Sequence, residues 1–207
     1  MFALSVSTPR VTLRLPTDAE LGELARLAGA GVHTPEERPF LTPWTEGSAI
    51  ASAQFVLREH WGQLAGWDVR SWRLGMGVFS AEGAPLGMVT LRARDFPVVR
   101  EVTTSSWLGL PFHGVGLGTE ARVGLLSLAF DHLGAEAALT EVFQDNHASQ
   151  GVSRRLGYEP DGISRDARGA EVLVSDRLRL TAEKWRGMDR PSVRVTGFEQ
   201  CRQMFTG

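Results

Sequence analysis

The chain contains a single cysteine, Cys201, so no internal disulfide can form. This cysteine lies in a polar C-terminal stretch without metal-ligand spacing, and we expect neither a bound metal nor a catalytic thiol. Long apolar runs are also missing. No segment approaches the roughly 20 residues of a membrane span, and residues 1–10 lack the basic start and apolar core of a signal peptide. These absences predict a cytoplasmic protein with no membrane partner.

Neither sign of charge is in excess, because the formal net charge is only -2. Without an overall basic surface, nucleic acid is not an expected partner. A length of 207 residues with 43% hydrophobic content is enough for one ordinary core. We predict one domain over residues 1–187 and a C-terminal extension over residues 188–207 that packs on the same domain.

Apolar periodicity predicts the first half of the fold. A strand at residues 11–15 precedes a helix capped by Thr17 or Asp18, and a second helix covers residues 49–66. Residues 29–48 between these helices are irregular but contain large apolar side chains, so they form either a lid on the core or a wall of an acceptor pocket. Residues 71–79, 85–92 and 101–110 are typical of three consecutive antiparallel strands.

A strand–helix–strand unit is predicted next. A helix over residues 119–133 ends at Gly134, and the strand at residues 137–143 should run parallel to the strand before the helix. A short helix over residues 146–156, a strand over residues 171–180 and a last short helix capped by Thr181 complete the prediction.

The loop between the third strand and the long helix has glycines at 114, 116 and 118. Backbone N–H groups at such a helix start can converge on an anion, most plausibly a pyrophosphate. The only lysine is Lys184, far from this loop, which disfavours a Walker-type kinase or NTPase site. The Gly-x-Gly-x-Gly spacing after an antiparallel meander also disfavours a Rossmann dinucleotide site.

Three motifs around this loop resemble those of the GNAT N-acetyltransferases, in particular the RimJ/RimL-like branch that acetylates ribosomal-protein N-termini. They are His113-x-x-Gly116-x-Gly118 followed by Thr-Glu-Ala, Asn146-x-x-Ser149, and Arg155-Leu-Gly-Tyr158. The family usually has Gln or Arg where this chain has His113. The resemblance implies a mixed α/β fold, with a mostly antiparallel central sheet, one parallel and splayed strand pair, and flanking helices.

The same resemblance implies an acetyltransferase that moves an acetyl group from acetyl-CoA to a primary amine in a ternary complex, with CoA as product and no metal. The acceptor would be a small molecule or a protein N-terminus, and homodimers are common among similar proteins. In the family the strand before the loop carries a bulge, and the pantetheine arm enters the gap beside it. The implied cofactor-binding residues are Trp107, Leu108, Gly109, Leu110, His113, Gly114, Val115, Gly116, Leu117, Gly118, Thr119, Asn146, Ser149 and Arg155.

Three residues are candidates for catalysis, each with an ordinary structural alternative. Ser149 either donates a hydrogen bond to the thioester sulfur or caps the following helix. Tyr158, the only tyrosine, either protonates the leaving thiolate or packs in the core. Glu101 either removes a proton from the amine through water or forms an ordinary strand end. Asn146 would bond the pantetheine or nearby backbone.

Two other functions stay open at this stage. A non-catalytic CoA-binding or sensory module with the same fold would lack an effective base, and a dinucleotide-dependent oxidoreductase is the more distant alternative. The motifs do not identify the acceptor amine, and we expect the residues that contact it to lie within 29–70 and 159–180.

Overall fold

The computed structural model describes residues 1–206, so Gly207 of the predicted extension lies outside the described residues. Strands of the described chain form one sheet in the order β7-β8-β6-β5-β4-β3-β2-β1-β9. Their bounds are β1 Ser5–Ser7, β2 Val11–Arg14, β3 Ser71–Ser80, β4 Pro85–Arg94, β5 Glu101–Leu108, β6 Ala137–Phe143, β7 Glu159–Arg168, β8 Glu171–Thr181 and β9 Arg194–Thr196. Only β5 and β6 pair in parallel within the described residues; all other pairs are antiparallel. The predicted fold class is confirmed.

Helices cover both faces of this sheet. They are α1 Asp18–Ala30, α2 Ala49–Ala65, α3 Phe96–Val99, α4 Leu117–Ser127, α5 His147–Arg155, α6 Ala182–Arg186 and α7 Gln203–Thr206. A π-helical turn over Leu128–His132 extends α4, and short 3-10 turns occur at Leu110–Phe112 and Glu199–Cys201. No helix of the described residues has the length and apolar character to cross a membrane.

Local sequence explains where the first helix begins. Of the two predicted caps for α1, Thr17 is the one used: its side chain accepts from the Glu20 N–H while the Glu20 side chain bonds the Thr17 N–H. Such a reciprocal capping box satisfies two backbone donors that the helix cannot. The long helix α4 begins at Leu117, two residues before the predicted start, because Gly116 supplies a left-handed cap at φ 84°.

Three strands were not predicted: β1, β7 and β9. Strand β7 has a polar sequence with a proline and a glycine, and its register against β8 shifts between Pro160 and Ile163. It forms the sheet edge, where a bulge and few apolar residues are tolerated. Pairing with β8 along most of its length therefore specifies this strand, whereas its own residue pattern does not.

The sheet separates two groups of buried side chains. The larger core lies mostly between the sheet and α4 and includes Leu13, Leu91 and Leu125; the smaller one joins α1 and α2 to Phe79 and Met88. Phe198, Cys201 and Phe205 of the C-terminal segment belong to the larger core. Cys201 is therefore buried between two phenylalanines, although its immediate neighbours along the chain are polar and exposed. The domain boundary at residue 187 stays a prediction.

Candidate active site

A gap opens between the two parallel strands. β5 and β6 pair only from Glu101 to Thr103 and from Ala137 to Leu139. Beyond that point β6 stays paired with β8, and β5 stays paired with β4, so the two strands are held apart. Where pairing ends, the Thr140 hydroxyl donates to the Thr104 carbonyl oxygen at 3.4 Å. The gap therefore has a closed end at Thr104 and Thr140 and leaves backbone groups of both strands without ladder partners.

The bulge expected in β5 is absent from its described pairing with β4. The register runs without a shift from Gly87 opposite Leu108 to Ala93 opposite Val102. That expectation was wrong. The gap is present without a bulge in β5, while β6 pairs with β8 along all of its residues.

The glycine loop, residues 113–119, presents free backbone donors. Gly114 and Gly116 have φ angles of 76° and 84°, which L side chains rarely adopt. The first helical hydrogen bond of α4 runs from the Glu120 N–H to the Gly116 carbonyl. Within residues 1–206, no group accepts from the N–H groups of the three preceding positions, Leu117 to Thr119. These donors lie at the positive end of the helix and suit a pyrophosphate.

Arg10 holds this loop in place, a role that sequence reasoning missed. Its Nε lies 2.5 Å from a Glu120 carboxylate oxygen, and its Nη1 donates to the Val115 carbonyl at 3.0 Å. Burial opposes the charge on Glu120, but hydrogen bonds from Thr8 and Arg10 outweigh it and hold the Glu120 pKa below its usual value. No local spacing signals this contact, because Arg10 is more than 100 residues away from its partner.

His113 stands at the other end of the loop. Its Nε2 lies 3.0 Å from the Leu108 carbonyl oxygen, which accepts a hydrogen bond from the ring. This bond joins the loop to the end of β5. His113 therefore positions the backbone around the gap.

Asn146 is the N-cap of α5, and its side chain accepts a hydrogen bond from the backbone N–H of Ser149. The Asn146 Oδ1 accepts from the Ser149 backbone N–H at 3.0 Å. The alternative in which Ser149 caps this helix was therefore wrong, since Asn146 already lies at the N-cap. Within the described residues, the Ser149 hydroxyl and the Asn146 amide nitrogen make no other side-chain hydrogen bond and remain available to a ligand.

One cavity of about 680 Å³ connects the glycine loop with the opposite face of the sheet through the gap. The predicted cofactor residues that line it are Trp107, Leu108, His113, Gly114, Gly116, Gly118, Thr119, Asn146, Ser149 and Arg155. Gly109, Leu110, Val115 and Leu117 lie outside this lining. Gly109 faces α1 instead: a Cβ there would lie 2.5 Å from Leu27. Its small size is needed for helix packing.

The far side of the cavity is aromatic. Trp44 stacks on Phe55 at 5.2 Å between ring centroids, and its ring lies 5.0 Å from Phe40 and 5.9 Å from Trp107. All four residues line the cavity, and Phe40, Trp44 and Trp107 also pack against the smaller core. Residues 29–48 therefore do both things that the sequence offered as alternatives: they cover the smaller core and they form a wall of the cavity. We call these four aromatics the aromatic end, and residues 113–119 the glycine end.

An ion pair fixes the loop over the aromatic end. Glu46 of the irregular segment pairs with Arg168 at the end of β7. The β7–β8 hairpin thus covers the same side of the cavity, to which Asp166 contributes. Of this hairpin, the sequence predicted β8 and did not predict β7.

Tyr158 lies behind the cavity wall. It is 7% exposed, and its hydroxyl is 3.4 Å from the Thr104 Oγ1, to which the buried Arg122 also donates. Burial raises the pKa of Tyr158, and the nearby Arg122 charge only partly opposes this. Thr104 and Arg122 line the cavity, whereas Tyr158 is not part of the lining. Its predicted proton-donor role stays a prediction, and its hydroxyl reaches the gap only through Thr104.

Glu101 is also outside the large cavity. Its carboxylate bonds the Arg179 Nη1 at 2.5 Å and lines a neighbouring cavity of about 390 Å³. Glu141, which sequence reasoning missed, lines both cavities and is exposed. Within the described residues its carboxylate takes part in no ion pair or side-chain hydrogen bond. No motif signals Glu141, since β6 also contains the polar Thr140 and only the fold places this carboxylate beside the gap.

Comparisons with known proteins agree with this geometry. Residues 10–159 match the family model of the acetyltransferase (GNAT) domain. The Bacillus subtilis protein YdaF, provisionally named a ribosomal N-acetyltransferase, is 27% identical over 108 residues, which cover 51% of this chain and 58% of YdaF. The match thus spans little more than half of that relative's length.

Solved structures with similar folds include two in complex with coenzyme A or a form of it. Mycobacterium smegmatis RimJ with CoA-disulfide has a TM-score of 0.68 at 16% identity, and the alignment covers 87% of each chain. A RimL ribosomal-protein acetyltransferase with coenzyme A has a TM-score of 0.68 at 14% identity, covering 86% of this chain and 97% of RimL. At these identities the likeness concerns the fold.

Proposed function

The chain belongs to the GNAT acetyltransferase family, and from that premise we propose that it transfers an acetyl group from acetyl-CoA to a primary amine. The acceptor is a protein N-terminal amine or a small-molecule amine, and the attack is direct, within a ternary complex. The observation that carries the proposal is the single cavity with the free donors of α4 at one end, the gap between β5 and β6 in the middle and the aromatic end beyond.

The donor would occupy the glycine end and the gap. The N–H groups at the start of α4 bind the pyrophosphate, and the pantetheine arm lies along the unpaired side of β5, with the Asn146 amide as a further partner. A β5 N–H in the gap stabilises the thioester oxygen as it gains negative charge. The Ser149 hydroxyl donates to the sulfur as the carbon–sulfur bond breaks.

The acceptor would enter over the aromatic end. YdaF and RimL carry names that refer to ribosomal proteins, which supports a protein N-terminus as one class of acceptor. The amine must lose a proton during attack. Glu101, predicted from sequence, and Glu141 are the two carboxylates considered for this step. We favour Glu141, because it lines the large cavity and Glu101 is paired with Arg179.

Two measurements test the function. In calorimetry, acetyl-CoA should bind at one site and raise the melting temperature by mass action. In a thiol-release assay, a panel of peptides with free N-termini and small amines should include at least one acceptor with steady turnover. Absence of any acetyl-CoA binding would contradict the proposal, whereas binding without turnover across the panel would favour a non-catalytic CoA module.

The homodimer implied by the resemblance and the cytoplasmic location expected from the single cysteine stay predictions. Light scattering of the purified protein measures the first.

A further inference from the structure

Arg122 of α4 is a buried cation without an anion. The residue is 4% exposed, its Nη1 donates to the Thr104 hydroxyl, and its Nε has no hydrogen-bond partner. Among residues 1–206 no carboxylate forms an ion pair with it. A guanidinium does not give up its proton, and a buried charge without a partner is costly. Such an arrangement points to an anion that is present only when a substrate is bound.

The surroundings of Arg122 locate that anion. Thr104, its partner, is the first residue of β5 beyond the parallel pairing, and it lines the cavity together with Arg122 and Thr140. Thr104 lies four residues before Leu108 at the loop end of β5, about 13 Å along the strand, and it marks the closed end of the gap. An arm anchored by its pyrophosphate at the glycine end would therefore bring its far, reactive end, and not its phosphates, to the guanidinium beside Thr104.

Other charged groups near Arg122 are accounted for. On the same helix, Glu120 is paired with Arg10. From the neighbouring elements, Tyr158 faces Arg122 behind Thr104, while Glu141 of β6 and Arg155 of α5 line the same cavity. Burial lowers the pKa of Arg122, an effect that Tyr158 opposes only in part. The lowered pKa has the same cause as the energetic cost named above, namely that the Arg122 charge is buried without an anionic partner.

We propose that Arg122 is a catalytic residue for the leaving group, whose guanidinium contacts the CoA sulfur and stabilises the thiolate that forms there. The inference rests on the proposed function. In the step, the amine nitrogen forms a bond to the acetyl carbon, and the carbon–sulfur bond breaks with its electron pair left on sulfur. The amine proton leaves through the base, and Arg122 stays protonated throughout.

The wild-type protein provides the first test, through the binding of CoA and of desulfo-CoA, which has hydrogen in place of the thiol. A thiol with a reference pKa of about 8.5 that is stabilised as thiolate titrates at lower pH when bound. The affinity ratio of CoA to desulfo-CoA should therefore be higher at about pH 9 than at near-neutral pH, by roughly sixfold if the thiol pKa falls by about one unit. Calorimetry at the two pH values measures this ratio.

Two substitutions of Arg122 test whether this residue causes the pH dependence of the affinity ratio. Arg122→Met should abolish the rise and lower kcat roughly tenfold to a hundredfold, with desulfo-CoA affinity kept. Arg122→Lys keeps a cation and should retain most of the rise. Arg26→Met, which removes an exposed arginine of α1, is the matched control and should behave as wild type. Desulfo-CoA binding reports whether each variant has folded.

The outcomes separate the two proposals. If wild type binds both ligands but their ratio does not change with pH, or if Arg122→Met keeps the change, the thiolate role is overturned and the enzyme assignment stands. If wild type binds neither ligand, the proposed function itself fails. Because the wild-type measurement needs no variant, misfolding of Arg122→Met cannot leave the proposal untested.

Discussion

The glycine end of the cavity takes most of its chemistry from the main chain, whereas the aromatic end takes it from side chains. At the glycine end, positive φ angles at Gly114 and Gly116 and the first turn of α4 create donors within a few residues of sequence. The aromatic end joins three separate segments: the loop with Phe40 and Trp44, helix α2 with Phe55, and β5 with Trp107. The comparison teaches that a cofactor site built locally shows itself in a motif, while a site for the second substrate is fixed only by the fold.

The largest effect on the KM for acetyl-CoA is expected from a substitution that disrupts the glycine end. In Gly116→Val a β-branched side chain must adopt φ 84°, and its Cβ would lie 3.2 Å from Arg10. Loss of two or more charge-assisted hydrogen bonds to the pyrophosphate should raise the KM for acetyl-CoA by roughly a hundredfold or more. Steady-state kinetics with a fixed acceptor measures this change.

Gly22→Ala is its control. No atom lies within 4 Å of the added Cβ in α1, so this variant should be slightly more stable than wild type, with unchanged kinetics. Equal acetyl-CoA KM values in Gly116→Val and wild type would remove the glycine end from the donor site.

A comparison of two carboxylate variants tests which residue is the general base between the glycine end and the aromatic end. Glu141→Gln should lower kcat about a hundredfold if this carboxylate is the general base, and part of the loss should disappear at high pH, where the amine is already neutral. Glu101→Gln breaks the ion pair with Arg179 and should cost little activity. The pH–rate profiles of both variants decide the assignment, and the reverse ranking would return the base role to Glu101.

Ser149→Ala tests the sulfur contact. The cap of α5 uses the backbone N–H of this residue, so the substitution removes the hydroxyl and leaves the cap intact. We expect kcat to fall about tenfold with little change in the KM for acetyl-CoA.

Ser153→Ala is the matched control for that variant. Ser153 lies on the same helix, and its buried hydroxyl has no hydrogen-bond partner. Its removal should leave kcat unchanged. Similar losses in both serine variants would attribute the effect to the helix and not to the hydroxyl of Ser149.

The smallest effect is expected at the aromatic end. Trp44→Leu removes the stack on Phe55, and an aromatic contact of about 0.5–1.5 kcal/mol corresponds to a rise of roughly twofold to tenfold in the KM for the amine. The KM for acetyl-CoA should stay constant. Trp61→Leu on the exposed face of α2 serves as control, since its side chain is 53% exposed. A change in the donor KM instead would place the donor arm against Trp44.

Prediction from sequence succeeded where a signal is local. Periodicity gave α1, α2 and the β3–β4–β5 meander, and motif spacing gave the loop before α4. The same reasoning failed at β7, whose polar residues become a strand only because β8 is present to pair with it. It also missed Arg10, Arg122 and Glu141, because contacts across the fold determine their roles and no spacing along the chain announces them.

Hydrogen–deuterium exchange with and without acetyl-CoA tests the central claim most directly, because the claim concerns specific backbone amides. The N–H groups of Leu117 to Thr119 have no acceptor among the described residues and should exchange quickly in the free protein. Acetyl-CoA should slow exchange in residues 114–119 and along the β5 side of the gap, while the β7–β8 hairpin changes little. Protection that spares the glycine loop, or that is confined to the aromatic end, would contradict the account.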